Sequence, residues 1–168
     1  MSYYRGLPEV ARYQSWTTFG LADAAQLIAD QQGVQPATPD SWLQLMIVLA
    51  DSDQAIGDCG IHFLSNAQHV ELGITLDPSY QHRGLACEAL ECVLQYVFGA
   101  LNMRRASATT DAENISAQRL FQRLGFRQEA HFIENVWFKG AWGSEFLFAL
   151  LQSEWQDRLG RDGARTDA

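Results

Sequence analysis

The sequence predicts an α/β (α+β) protein, built as a mixed, mostly antiparallel, twisted sheet with helices on both faces. Three observations carry this. Strand-like runs at residues 43–50, 55–64 and 70–76 are joined by the short polar turns Asp51-Ser52-Asp53 and Ser65-Asn66-Ala67-Gln68, the pattern of an antiparallel meander. A sustained helical period of about 3.6 then runs through Leu85, Ala86, Ala89, Leu90, Val93, Leu94, Val97, Phe98 and Leu101. That helix stands between the strand at 70–76 and a further strand at 106–110, so these two, if neighbours, are parallel with a right-handed crossover.

The remaining elements follow in order. Leu21, Ala24, Ala25 and Ile28 recur at helical spacing, giving a short amphipathic helix over 21–32 that Pro36-Ala37-Thr38-Pro39-Asp40 ends. Asp77-Pro78-Ser79-Tyr80 closes the third strand. Asp111 to Asn114 lead into a helix carrying Ile115, Leu120, Phe121 and Leu124, with Gly125 as its stop. Residues 132–138 and 145–151 read as two last strands, linked by a loop over 139–144. Residues 1–6 and 156–168 are polar or glycine-rich and are expected to fray. The expected organisation is one domain over 1–155 with a flexible tail over 156–168.

Composition bounds the function. Apolar residues make up 47% and charged residues 19%, enough for a real core and too ordered a balance for a disordered chain. The longest apolar runs, 45–50 and 146–151, are too short to span a bilayer, and Met1-Ser2-Tyr3-Tyr4-Arg5-Gly6 lacks the apolar stretch of a secretion signal. The expectation is a cytoplasmic protein with no membrane partner. A net charge of −8 repels nucleic acid, so no nucleic-acid partner is expected. Cys59, Cys87 and Cys92 are odd in number and lack a C-x-x-C spacing, which argues for a reducing compartment and against a zinc site. They read as small core residues, with Cys87 as a nucleophile the alternative.

The segment richest in chemistry is Gln81-His82-Arg83-Gly84-Leu85-Ala86, between a strand and the strongest helix. The first turn of a helix leaves N–H groups unpaired at the positive end of its dipole, and a tight loop there gathers them around an anion. Gly84 permits close backbone approach, Ala86 keeps the next turn slim and Arg83 adds charge. This chemistry suits a phosphate or pyrophosphate; an ordinary loop entering a helix is the bland alternative.

Taken with its surroundings, the segment resembles the GNAT superfamily of acyl-CoA N-acyltransferases. Gln81, Gly84 and Ala86 match that family's Gln/Arg-x-x-Gly-x-Gly/Ala signature. Glu88-Ala89-Leu90, then Asp111 and Asn114, then Leu124-Gly125-Phe126 continue the likeness. Glu9-Val10-Ala11-Arg12-Tyr13 with Trp16, Trp137-Phe138-Lys139-Gly140-Ala141-Trp142 and Phe148-Ala149-Leu150-Leu151 further resemble the branch containing the ribosomal-protein N-terminal acetyltransferases. The resemblance spans about residues 9–155. It implies acetyl-CoA as co-substrate, no metal, an amine acceptor, and admits a homodimer. It also implies a site. Backbone groups near Ile74 and Leu76 would pair with the pantetheine where two strands splay. The amides of Gln81, His82, Arg83, Gly84, Leu85 and Ala86 would hold the pyrophosphate, and Asn114 would reach the pantetheine arm or simply cap its helix.

The implied reaction is direct attack of a neutral amine, a protein N-terminus or a small amine, on the thioester. An α-amine with a pKa of about 7.7–8.0 is roughly one-tenth neutral at pH 7, whereas a lysine amine near 10.4 is neutral to only about four parts in ten thousand. Glu71, on the central strand, is the candidate base, with a solvent-facing strand residue as its alternative. Two departures stand out. Phe121 occupies the place where many members carry a proton-donating Tyr, which leaves Ser116 as the candidate hydroxyl, although a thiol with a pKa of about 8.5 needs little help to depart. The family's first strand is also missing, which would expose a sheet edge. These departures keep a non-catalytic acyl-CoA sensor or interaction module as the competing reading. A nucleotide-phosphate enzyme lacks its G-x-x-x-x-G-K-S/T loop here. Trp16, Trp42, Trp137 and Trp142 are candidates for an acceptor groove or for the core.

Overall fold

A computed structural model describes the chain from Met1 to Thr166, with side chains in the last helix described as far as Gly160. Two single-turn helices, α1 (Ser2–Arg5) and α2 (Pro8–Ala11), and a longer one, α3 (Leu21–Asp30), precede the sheet. The meander follows as β1 (Ser41–Val48), β2 (Ala55–Phe63) and β3 (His69–Leu76). Next come α4 (Leu85–Gln95), β4 (Arg105–Asp111), α5 (Ile115–Arg123), β5 (Arg127–Phe138), β6 (Ala141–Leu151) and α6 (Gln152–Thr166). The six strands lie in the order β1-β2-β3-β4-β6-β5, all antiparallel except β3 with β4. No strand precedes Ser41 among the described residues, as expected.

Side chains alternate across the strands and divide the sheet into two unlike faces. Cys59, Ile61 and Phe63 of β2 and Val70 and Leu72 of β3 join Leu90, Leu94 and Phe98 from the helix of β3's crossover, Phe121 of α5, Leu124 just after it and Trp155 of α6 in one apolar core. Asp58, of opposite parity, faces the N-terminal helices and accepts from Tyr4 Oη (2.6 Å), Arg5 Nε (3.0 Å) and Gln44 Nε2 (2.7 Å). Arg5 also stacks on Trp16, its guanidinium 4.4 Å from the ring centroid. The first six residues are therefore anchored, not frayed: Tyr4 and Arg5 are 2% and 6% exposed. Their polarity hides this in the sequence, because the partner that makes burial favourable lies some fifty residues away.

Other boundaries shift for local reasons. The long helix ends in a π-helical turn, Tyr96–Ala100, with the Leu101 amide donating to the Tyr96 carbonyl (3.0 Å). The loop expected over 139–144 is a two-residue hairpin turn. Lys139 (φ +50°) and Gly140 (φ +87°) both take the left-handed conformation such turns require, and Ala141 already belongs to β6. β5 starts at Arg127, earlier than its apolar residues suggest, because it is a mostly exposed edge strand with irregular register after Gln128 and Phe132. The stretch from Gln156, expected to fray, is helical to Thr166; residues 167–168 lie outside the described residues. The free edge of β1 is covered locally: the Gln31 side chain donates to the Trp42 carbonyl (3.2 Å) and accepts from the Gln44 amide (2.8 Å), as a neighbouring strand would.

Candidate active site

β3 and β4 pair only through His69, Val70 and Glu71 with Arg105, Ala106 and Ser107, and then separate. The Asp77 amide donates to the Ile56 carbonyl (2.8 Å). The alternation this sets along β3 turns the backbone groups of Ile74 and Leu76 away from β2, toward the widening gap. The Leu76 carbonyl accepts from Gln81 Nε2 (3.0 Å), so the Gln81 side chain ties the loop back to the strand end.

The gap opens into a groove of about 470 Å³, whose lining includes Ile74, Leu76, Gln81, His82, Gly84 and Ala86 on one wall and Asn114, Ser116, Arg119 and Arg123 on the other. Gly84 caps α4 in the left-handed conformation (φ +84°), and a side chain built there meets nothing within 4 Å. His82 is also left-handed (φ +59°). With left-handed residues on either side of Arg83 the loop curves sharply, and such a curve gathers N–H groups into a concave nest, continued by the unpaired first amides of α4. Arg83 turns away onto the Tyr80 ring, 5.4 Å from its centroid, and Leu85 is half-buried outside the lining. Asn114 caps α5, its Oδ1 accepting from the Ala117 amide (3.1 Å), so what it offers the groove is its Nδ2 donor.

Glu71 stands elsewhere. It belongs to the last parallel pair, at the closed end of the gap, and accepts from Thr109 Oγ1 (2.9 Å) on the face that carries Asp58. Ser116 lines the groove and Glu71 does not, so the two candidate catalytic residues do not share that cavity. Phe121 is buried against Phe126 and Phe148 (centroids 5.2 and 6.3 Å), which gives the aromatic ring there a packing role. Cys59 is buried, but Cys92 is exposed and Cys87 lines the groove, which corrects the expectation of three core cysteines. Burial and Glu91 push the Cys87 thiol above its ordinary range, the wrong direction for a nucleophile.

Arg119 and Arg123 escaped the sequence reading. They lie one helical turn apart on the groove side of α5, and that spacing beside Ser116 was the available signal. A second cavity of about 570 Å³ on the Glu71 face is lined by Ala11, Arg12, Tyr13, Thr17, Asp111, Glu113, Phe138 and Lys139, among others. Tyr13 borders both cavities. None of the four tryptophans singled out lines either one, and Trp137 and Trp142 form an exposed edge-to-face pair.

Splayed central strands with an anion nest at the amino end of the crossover helix define an acyl-CoA-using transferase. The profile of the Acetyltransferase (GNAT) domain family matches residues 1–127, and the chain belongs to that family. It is 28% identical over 152 residues to the uncharacterised N-acetyltransferase YnaD of Bacillus subtilis, covering 90% of this chain and 86% of that one. The ribosomal-protein uS5-alanine N-acetyltransferase of Escherichia coli matches at 29% over 84 residues, 50% of this chain and 43% of that one, so the ribosomal-protein branch is only distantly echoed. Among solved structures, a GNAT-family acetyltransferase from Bacillus anthracis superposes with a TM-score of 0.83 at 23% identity, covering 92% of this chain and 88% of that one. Spermidine N-acetyltransferase from Vibrio cholerae, in complex with CoA and spermine, gives 0.79 at 19% identity, with 92% and 89% covered. The chain is an acetyl-CoA-dependent N-acetyltransferase. Among the described residues no group of three His, Cys, Asp or Glu could hold a metal, and no helix is long and apolar enough to cross a membrane.

Proposed function

We propose that the chain acetylates a primary amine, a protein N-terminus or a small amine, by direct attack, with the co-substrate in the groove and the amine arriving from the opposite face. The observation that carries this reading is the open gap between β3 and β4, with an anion nest at one end and a carboxylate at the other. The groove fits acetyl-CoA on several counts. Space stands open above Gly84, the backbone of Ile74 faces the gap, and Arg119 and Arg123 add charge opposite the nest. Thr110 Oγ1, on β4 beyond the last parallel pair, is a buried polar atom without a partner among the described residues. Acetyl-CoA supplies the activated acetyl group, and the chain must remove a proton from the amine and orient it.

Glu71 takes that proton, directly or through water, while Thr109 fixes its carboxylate. Thr109 and Asp111 point to the same face about 7 Å apart, so a row of polar groups leads from Glu71 to the second cavity, where the acceptor binds. Ser116, in the groove, offers its hydroxyl to the departing thiolate. The second cavity sets Asp111 and Glu113 against Arg12 and Lys139, a balanced charge that suits one amine better than a polyamine.

An acceptor panel of N-terminal peptides, small monoamines and spermidine, read by CoA release, tests this. Monoamines or peptides should turn over faster than spermidine. In Glu71→Gln turnover should fall by about 10²–10⁴-fold with acetyl-CoA affinity unchanged, recovering by about pH 9 for an α-amine. Full activity of that variant at pH 7 would remove Glu71 from the mechanism.

A further inference from the structure

Residues 9–18 form a wall shared by both cavities. Glu9, Val10, Tyr13 and Gln14 line the groove, and Ala11, Arg12, Thr17 and Thr18 line the second cavity. Yet this segment holds little structure of its own. It contains the end of single-turn α2 and no strand, so its position must be fixed from outside. Two of its ties are weak. Arg12 and Glu113 form an ion pair at 3.2 Å with side chains 62% and 75% exposed, and Tyr13 Oη reaches the Glu113 carbonyl at 3.4 Å.

Trp16 is also held through Arg5, to whose carbonyl its Nε1 donates (3.0 Å) and whose guanidinium lies on its ring. The tie from Lys139 differs in reaching both ends of the segment at once. Lys139 Nζ donates to the carbonyl of Ala11, the last residue of α2, and to the carbonyl of Trp16 (2.9 Å). One ammonium thus gathers two backbone oxygens from the two ends of a loop. The first of these also accepts from the Gln14 amide (3.0 Å), so the ammonium is its second donor. The hairpin turn aims this side chain: Lys139 and Gly140 are both left-handed, at the tip of the β5–β6 arm. The arm and the wall meet nowhere near each other in sequence, and they face one another across the second cavity, which Phe138 and Lys139 also line.

We propose that Lys139 is a positioning residue for the amine acceptor: it holds residues 11–16 against the β5–β6 arm and so sets the width of the second cavity. The inference rests on the reading that this cavity takes the acceptor. It assigns the ammonium to the wall, as a donor to carbonyls, and makes it neither nucleophile nor acceptor.

The test compares Lys139→Met, which keeps length and removes the donors, with Lys139→Arg, which restores a cation able to span two carbonyls. Hydrogen exchange of the amides of residues 11–18 is followed without substrate, and steady-state kinetics use the best monoamine or peptide of the panel. In Lys139→Met the amides should lose protection, and the acceptor KM should rise about tenfold, the scale of a lost charge-assisted hydrogen bond. The kcat should stay within about threefold, and Lys139→Arg should recover most of the acceptor KM. Unchanged protection would show that Lys139 does not hold the wall and overturn the proposal. Lost protection with an unchanged acceptor KM would overturn it too, by placing the acceptor elsewhere. Turnover by the unaltered chain tests the acetylation reading on its own, so the two failures are told apart.

Discussion

On the α4–α5 face of the sheet, Ile61, Phe63, Leu90, Leu94 and Phe148 are fully buried and pack apolar surface against apolar surface. On the opposite face, Asp58 gathers Tyr4, Arg5 and Gln44, Arg5 lies on Trp16, and Lys139 holds two carbonyls of the N-terminal segment. The first face carries the helices that build the groove, and the second carries the segment that lines the second cavity. Close packing spreads the loss of one side chain over many neighbours. A hydrogen-bonded face can lose one tie and keep the others. A single substitution on the polar face can therefore loosen that face while the packed core behind the groove stays intact.

The comparison breaks most sharply at Gly84. Gly84→Glu adds a carboxylate where a side chain meets nothing within 4 Å, so the packed face should survive, at a cost of about 1–2 kcal/mol for the left-handed backbone. The new charge would sit in the anion nest, at the amino end of α4. Calorimetric titration with CoA in the presence of a chelator should show binding for the unaltered chain and none for the variant. Near-normal affinity in Gly84→Glu would move the pocket away from this loop.

Asp58 sharpens the same contrast from the polar side. Its side chain is 1% exposed, and removing the carboxylate leaves the Arg5 side chain, 8% exposed, without its counter-charge. Breaking a buried pair in this way costs about 3–5 kcal/mol. Asp58→Ala should lower the midpoint of thermal unfolding by roughly 10 °C for a chain of this size. The loss should loosen residues 1–18 first, read by their hydrogen exchange, before the core strands respond. A global loss of protection with no early release of the N-terminal segment would mean that the two faces do not differ as described.

Legibility in the sequence follows the same division. The meander, the crossover helix and the anion loop are each set by residues close in sequence: apolar alternation, a helical stripe, and Gln81, Gly84 and Ala86 within six positions. The fold and half of the candidate groove are therefore legible in the chain itself. The polar face is not. Arg5 reads as a residue of a frayed terminus until Asp58 is placed beside it, and Lys139 reads as a loop residue until Ala11 and Trp16 are brought across the sheet. Polar burial depends on a partner, and nothing local announces one that lies more than fifty or a hundred positions away.

The smallest effect belongs to a charge network whose chemistry resembles the Asp58 cluster but whose surroundings do not. Glu129 of β5 pairs with Arg105 of β4 and with Arg127, which also meets Glu154. The hydrogen bond from Arg105, with Arg127 adding to it, holds the Glu129 carboxyl down at about 2. A carboxyl depressed by folding contributes stability that is fully present above its unfolded value and lost as pH falls toward its folded one. The window therefore runs from about pH 4.5 down to about pH 2. The Glu129 side chain is 26% exposed and that of Arg127 is 42% exposed, so water and salt screen the network, and its worth is that of a surface pair, about 1 kcal/mol or less. Glu129→Gln should thus be slightly less stable than the unaltered chain at pH 7, and the difference should vanish on acidification through that window. Denaturant titrations at pH 7, 4 and 3 read this directly. A destabilisation as large as that of Asp58→Ala, or one that persists undiminished at pH 3, would show that burial is not what separates the two clusters.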